Sequence, residues 1–377
     1  MAPEKEKTNM MQSAAFTVRD TNMAKGIAIS ILMIHHCFMQ AGRFKGFQMV
    51  FWPFSQSRLI KIAVYCKICV PIFAFLSAYG MTLALMKIKD RYPGQAFKLT
   101  LRRLVRLYGG YWFAYAVCFT ASCFLSPERL DGLKGGGSFA VNILIDLLGF
   151  GTLHQDRTLL GTFWYVGLAV MQILLMPFLY RLSEKVHPML LILLMVLASR
   201  VTHLQGANGN YNYLLLTAAG ILTAKADLWR KARLLGEETG GPGAYAAKAG
   251  KALLAVILLL ASYKIFYFGF HTIDQDISMT LCAMIVVFSV AVLWSRIPLL
   301  SGLLAFAGFY SMNVYYIHNF YRINWLHDFL FSLKYWWATA GMLLAVSLAS
   351  AVVMELVKKH IGYTGAVNRL SEKIAHK

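Results

Sequence analysis

The sequence predicts an all-α polytopic membrane protein: about ten transmembrane helices plus one re-entrant or interfacial segment. Three observations predict it. Hydrophobic residues make up 58% of the 377 positions and charged residues only 14%, where a soluble globular chain carries roughly 45–50% apolar residues. The apolar residues gather into runs near the ~20 residues a helix needs to cross hydrocarbon. The basic residues sit between those runs, as positive-inside bias requires.

The spans read, in order, 22–41, 63–86, 107–126, 161–180, 188–203, 211–225, 250–270, 277–296, 303–321 and 335–357. A polar segment, 1–21, precedes them. No small-residue cleavage site follows the first run, so it reads as a retained helix. Residues 22–357 form one membrane domain, and 358–377 read as a basic tail. Seven Lys/Arg fall in 87–106, six in 225–251 and five after 357. Ten crossings with both termini inside put all three groups on the cytoplasmic side. A crossing at 138–153 would invert the parity after it, so that stretch reads as re-entrant or interfacial. Its Asp146 must then face protein or water. The segments 132–138 (GLKGGGS) and 236–245 (GEETGGPGAY) read as flexible loops.

The net charge of +20 does not point to nucleic acid, because the basic residues line loops rather than one amphipathic face. The six cysteines (37, 66, 69, 118, 123 and 282) lie in or beside apolar runs. Cys66 and Cys69 form a CxxC without the second pair that a structural zinc site needs, so no metal centre is expected.

The chemistry begins in MAKGIAISILMIHH, residues 23–36. Lys25 and His36 are eleven residues, about three turns, apart, so they share a helix face with a rise of roughly 16 Å between them. Lys25 falls at the mouth of the span and His36 past its middle; His35 points about 100° away. An ionisable group inside hydrocarbon is costly and leans functional. Imidazole can act as a proton acceptor or hold an acyl group; a packing hydrogen bond to a neighbouring helix is the other reading. Arg102, Arg103 and Arg106 stand at the entry of the third span. They suit bidentate phosphate binding, or topological anchoring on anionic headgroups.

These residues resemble the acyltransferase 3 family of integral-membrane acyltransferases. The family's basic residue followed by histidine eleven positions on is matched by Lys25 and His36. Its arginine-rich third-helix entry resembles Arg102-Arg103-Leu104-Val105-Arg106 with Tyr111-Trp112 beyond. Its aromatic-Ser-Gly-Tyr pattern resembles Phe75-Leu76-Ser77-Ala78-Tyr79. Its Trp-aromatic helix start resembles Trp164-Tyr165, and its Ser-x-x-x-Tyr-x-x-His pattern resembles Ser311 through Tyr315 to His318. The chain departs at Lys25, where arginine is common, at Gly109, where proline is usual, and at Ala78, where glycine is usual.

The resemblance implies transfer of an acyl group, commonly acetyl, from cytosolic acyl-CoA to a hydroxyl of a cell-envelope glycan or its lipid-linked precursor. It implies a place in a bacterial cytoplasmic membrane. Acetyl-CoA would be a co-substrate, with no bound cofactor and no nucleic acid. His36 would be catalytic and Lys25 a required basic residue. Arg102, Arg103 and Arg106 would engage the donor. Ser77, Tyr79, Trp164, Tyr165, Tyr315 and His318 would line the pocket or the acceptor's approach; helix-packing hydrogen bonds are the other reading of Tyr315 and His318. His271, Asp274 and Asp276 fall in an outer loop; a solvated loop is the first reading and contact with a sugar the second. Asp146 is the more suggestive carboxylate partner for His36, Glu355 being close to the cytoplasm. A transporter or flippase with membrane-embedded His and Arg along its path is the rival reading.

Overall fold

The computed structural model describes residues 15–88, 94–154, 156–202, 213–235, 241–272 and 275–376, and all regular structure among them is helical. The main helices are α1 (Val18–Phe38), α2 (Gln56–Tyr65), α3 (Cys69–Met86), α4 (Gly94–Leu125), α5 (Phe139–Leu147), α6 (Trp164–Lys185) and α7 (Pro188–Thr202). They continue as α8 (Leu214–Ala226), α9 (Gly241–Thr272), α10 (Gln275–Val292), α11 (Pro298–Phe309), α12 (Ser311–Phe320), α13 (Trp336–His360) and α14 (Tyr363–His376).

Among the described residues, five stretches are long and apolar enough to cross a bilayer: Gln56–Met86, Gly161–Lys185, Gly243–Gly269, Gln275–Arg296 and Trp336–His360. Three shorter apolar helices, Pro188–Arg200, Leu214–Ala226 and Pro298–Phe309, accompany them. The helices of the first and third expected spans fall outside this set for a chemical reason. Asn22, Lys25, His35 and His36 dilute α1, and four basic residues followed by Tyr and Gly dilute α4.

α1 is the central helix. A reciprocal cap starts it: Asp20 N donates to Thr17 Oγ1 (3.2 Å) while Thr17 N donates to Asp20 Oδ2 (2.7 Å), satisfying two orphan donors. Arg233 closes on the same carboxylate at 2.7 Å. α1 packs most closely on α11, and the reason is glycine. A Cβ on Gly26 would lie 2.0 Å from Leu304 O, and one on Gly308 would lie 1.7 Å from Asn22 O. Bare backbone on both helices lets them touch, as small residues do at membrane helix interfaces. The same device seats α8 on α3, where a Cβ on Gly220 would meet the Ala78 Cβ at 2.8 Å. The glycine this close crossing needs is therefore on α8, and Ala78 suffices on α3.

Four sequence expectations change. Residues 303–321 are not one helix: α11 ends at Phe309, and α12 restarts at Ser311 after Tyr310 leaves helical geometry. α4 starts at Gly94, well before 107, because the basic stretch 98–106 remains helical as an overhang beyond the apolar part. Within 236–245 the part from Gly241 is the first turn of α9, where Pro242 costs no hydrogen bond; residues 236–240 lie outside the described residues. The fourth is an added detail: the basic tail holds a helix, α14, that packs on α4, where Tyr363 donates to Gly109 O (2.9 Å) and Val367 fills the space above Gly109.

The segment 138–153 is the nine-residue α5 followed by turns. Nine residues rise about 14 Å, under half of a ~30 Å hydrocarbon core. Asp146 is buried there and accepts from Leu159 N at 2.8 Å.

Candidate active site

The far end of α1 delivers two histidines into the bundle, and they do different things. His35 is buried, and its Nδ1 lies 2.8 Å from Ala63 O. A carbonyl only accepts, so Nδ1 carries the proton and this ring ties α1 to α2. His36 keeps some accessible surface. Its ring centroid is 5.1 Å from that of His318, which α12 supplies. His318 Nδ1 lies 2.8 Å from Tyr315 O and 3.2 Å from Val314 O. Its proton is therefore on Nδ1, and the lone pair on Nε2 is buried with no hydrogen-bond partner among the described residues. An orphaned buried acceptor beside a second imidazole is an arrangement able to receive a proton.

Two guanidinium groups attend this pair. Arg43, from the short turn after α1, donates to His36 O and lies 3.4 Å from His36 Nδ1. Arg322, one turn beyond His318, is buried and donates to Asn319 Oδ1 at 2.6 Å. It sits in a π-helical turn, Tyr321–Trp325, a local widening that often marks functional positions. Arg322 and Arg43 are the permanent charges acting on His36; neither Asp146 nor Glu355 acts as its partner. Asp146 is taken up by the 158–160 loop, and Glu355 by Asn313 and Lys358.

Aromatic residues continue the site. Tyr315 is 5.9 Å from His318 and 5.3 Å from Tyr165, centroid to centroid, and its hydroxyl donates to Thr162 O. Trp164 stands edge-on to Tyr165 at 6.1 Å. The expected residues Trp164, Tyr165, Tyr315, His318 and His36 are thus linked in sequence by ring contacts. Tyr79 is elsewhere: it packs on Phe16 at 5.7 Å and on Phe75, near the start of α1. Ser77 is half-buried on α3, with no hydrogen bond among the described residues. Asp276 accepts from Ser199 at 2.8 Å; Asp274 and the His271 side chain lie outside the described residues.

The start of α1 faces a basic mouth. Lys25 is within electrostatic range of Arg103 and has no hydrogen bond or ion pair among the described residues. Desolvation, then the like charges of Arg106 and Arg102, hold Arg103 below the usual guanidinium pKa. Arg102 Nε is buried without a partner among the described residues, and the Arg106 side chain is exposed. Three arginines and a lysine that form no ion pair among the described residues favour an anion in their midst.

Arg43, Arg322, Asn313 and Lys358 were not singled out by sequence. Arg322 was findable, because it lies four positions past His318 and so on the same helical face. Arg43 stands in a loop and gives no periodic signal.

Searches against curated proteins and solved structures return no match. A family model described as an acyltransferase domain matches residues 19–356, nearly the whole chain. With the Lys25–His36 helix, the basic mouth and the histidine pair in place, the chain belongs to the acyltransferase 3 family of membrane acyltransferases.

Proposed function

We propose that this chain is an O-acyltransferase that moves an acyl group, acetyl in the simplest case, from acyl-CoA to a hydroxyl of an envelope glycan or its lipid-linked precursor. The observation that carries the reading is the layout of α1. Its start meets the anion-binding mouth and its far end holds His36 against His318. The CoA phosphates cannot enter hydrocarbon, so they stay with Lys25, Arg102, Arg103 and Arg106. The thioester arm reaches along α1 toward the imidazoles. The acceptor arrives from the opposite end, along Tyr165 and Tyr315.

In this reading the hydroxyl oxygen attacks the thioester carbonyl while the imidazole pair takes its proton. The tetrahedral oxyanion is held by Arg322 and Arg43, the positive groups beside the rings. Collapse breaks the carbon–sulfur bond; the thiolate takes the proton back and leaves as CoA–SH. General acid–base assistance of this kind contributes typically about 10²–10⁴-fold, and oxyanion stabilisation by one donor about 10²–10³-fold. The mouth faces the cytosol and the bundle crosses a bacterial cytoplasmic membrane ten times, α11 and α12 together making the ninth crossing.

The test is donor binding followed by transfer. Purified chain should show a saturable rise in thermal midpoint with acetyl-CoA, as ligand binding to the folded state requires. Membranes holding it should pass radiolabelled acetyl from acetyl-CoA into envelope glycan. A chain that carries cargo unrelated to CoA would show neither.

A further inference from the structure

A cavity of about 210 Å³ lies between α4, α13 and α14, lined by Arg106, Gly110, Glu355, Lys358, Tyr363 and Asn368 among others. We infer that this cavity binds the 3′-phosphoadenosine end of the donor, so that the C-terminal helix α14 is one wall of a nucleotide site. The inference rests on the acyl-CoA reading above and adds where the nucleotide sits.

Its lining has the chemistry a phosphorylated purine nucleoside requires. Arg106 is exposed and has no hydrogen bond or ion pair among the described residues, so its guanidinium is free for a phosphate monoester. Lys358 is 5% exposed, rare for lysine. Its ammonium pairs with Glu355, lies 3.4 Å from Asn313 Oδ1 and sits over the Phe113 ring at 5.6 Å. The cavity lining therefore keeps a net positive charge after that pair is formed. Asn368 offers an amide, and Glu355, whose Oε1 is engaged by Asn313 and Lys358, offers its Oε2, to an amino-purine edge. Gly110 leaves an open backbone face against which a flat ring can lie; a Cβ there would meet nothing within 4 Å.

The position also fits. Arg106 is one helical turn from Arg103, which lies within electrostatic range of Lys25. Asn313, which donates to Glu355 at 2.6 Å, is five residues before His318 on α12, a rise of about 7.5 Å. One short helix thus runs from the edge of the cavity to the imidazole pair.

The experiment is binding to the full-length chain in detergent micelles, read by titration calorimetry and thermal midpoint. Adenosine 3′,5′-bisphosphate alone should bind saturably. CoA should bind about tenfold or more tighter than 3′-dephospho-CoA, the loss of one charge-assisted hydrogen bond. Arg106→Gln should abolish that difference. Gly110→Phe should fill the cavity and weaken the bisphosphate about tenfold or more, while its ligand-free midpoint stays at the wild-type value. The inference is overturned if both variants bind the bisphosphate as wild type does. It is also overturned if inorganic phosphate or phosphatidylglycerol displaces the bisphosphate at equal concentration, which would mark the cavity as a general phosphate or headgroup site. If acetyl-CoA binds but the bisphosphate does not, the donor reading stands and this site falls. If acetyl-CoA does not bind wild type at all, both fall.

Discussion

Three histidines occupy this site, and their hydrogen bonds separate them more sharply than their positions do. His35 and His36 are chain neighbours. The carbonyl of Ala63 engages the first ring, while the second meets His318, whose Nε2 is left open. Replacing His36 or His318 with alanine should each lower acetyl transfer by about 10²-fold or more, measured with radiolabelled acetyl-CoA. His35→Ala should instead lower thermal stability by about 1–3 kcal/mol, the cost of orphaning a buried partner, while transfer per folded molecule stays near wild type. Arg322→Gln should cost about 10²-fold in turnover with little change in donor affinity, as loss of an oxyanion donor predicts. The Lys25–His36 relation was legible because helix periodicity alone puts residues eleven apart on one face. The meeting of His36 with His318 was not, since nothing in the periodicity of two helices distant in sequence says which faces touch. Tyr79 makes the same point: its motif resembled a pocket residue, but its aromatic partners hold it near the opposite end of α1.

At the level of helices, backbone contact decides the architecture. Gly26 and Gly308 allow α1 and α11 to touch, and that contact fixes where Lys25 points relative to the basic overhang of α4. Gly308→Ala should destabilise the protein by at least ~1–3 kcal/mol, the usual cost of overpacking, because the added methyl falls on the Asn22 carbonyl. Gly302→Ala, on the same helix but facing open space, should keep or slightly raise the midpoint, since alanine is the better helix former. Thermal denaturation of both variants in one detergent checks the pair. Most helices were legible as apolar runs. The break at Tyr310 was not, because no Pro or Gly stands at position 310 and Phe309, Met312 and Val314 keep the run largely apolar on both sides. The length of α4 was also hidden: a helix whose first turns are basic and solvated has no apolar stripe to announce it. Nor did a basic tail reveal that Tyr363 and Val367 would dock on Gly109, a position where the absence of a side chain makes room for α14.

The whole molecule is polarised. Lys25, the three arginines, Lys358 and α14 gather at one end; His36, Arg43 and the loops joining Val50 to Lys334 and Arg129 to Asn324 close the other. Charge asymmetry of this kind orients a membrane protein with its basic end in the cytosol. In a cysteine-free background, a cysteine at Glu128 should therefore react with a membrane-impermeant maleimide in intact cells, and one at Lys98 only after permeabilisation; the reverse pattern would invert the assigned orientation. In the proposed reading that polarity lets one helix serve two substrates from two sides, the phosphate-bearing donor at its basic start and the hydroxyl-bearing acceptor at its histidine end. Transfer of radiolabelled acetyl from acetyl-CoA to envelope glycan, compared between membranes bearing equal amounts of folded wild type and His36→Ala, tests that account most directly. The account predicts label in the wild-type glycan and a loss of about 10²-fold or more in the variant. Equal labelling by the two would contradict it.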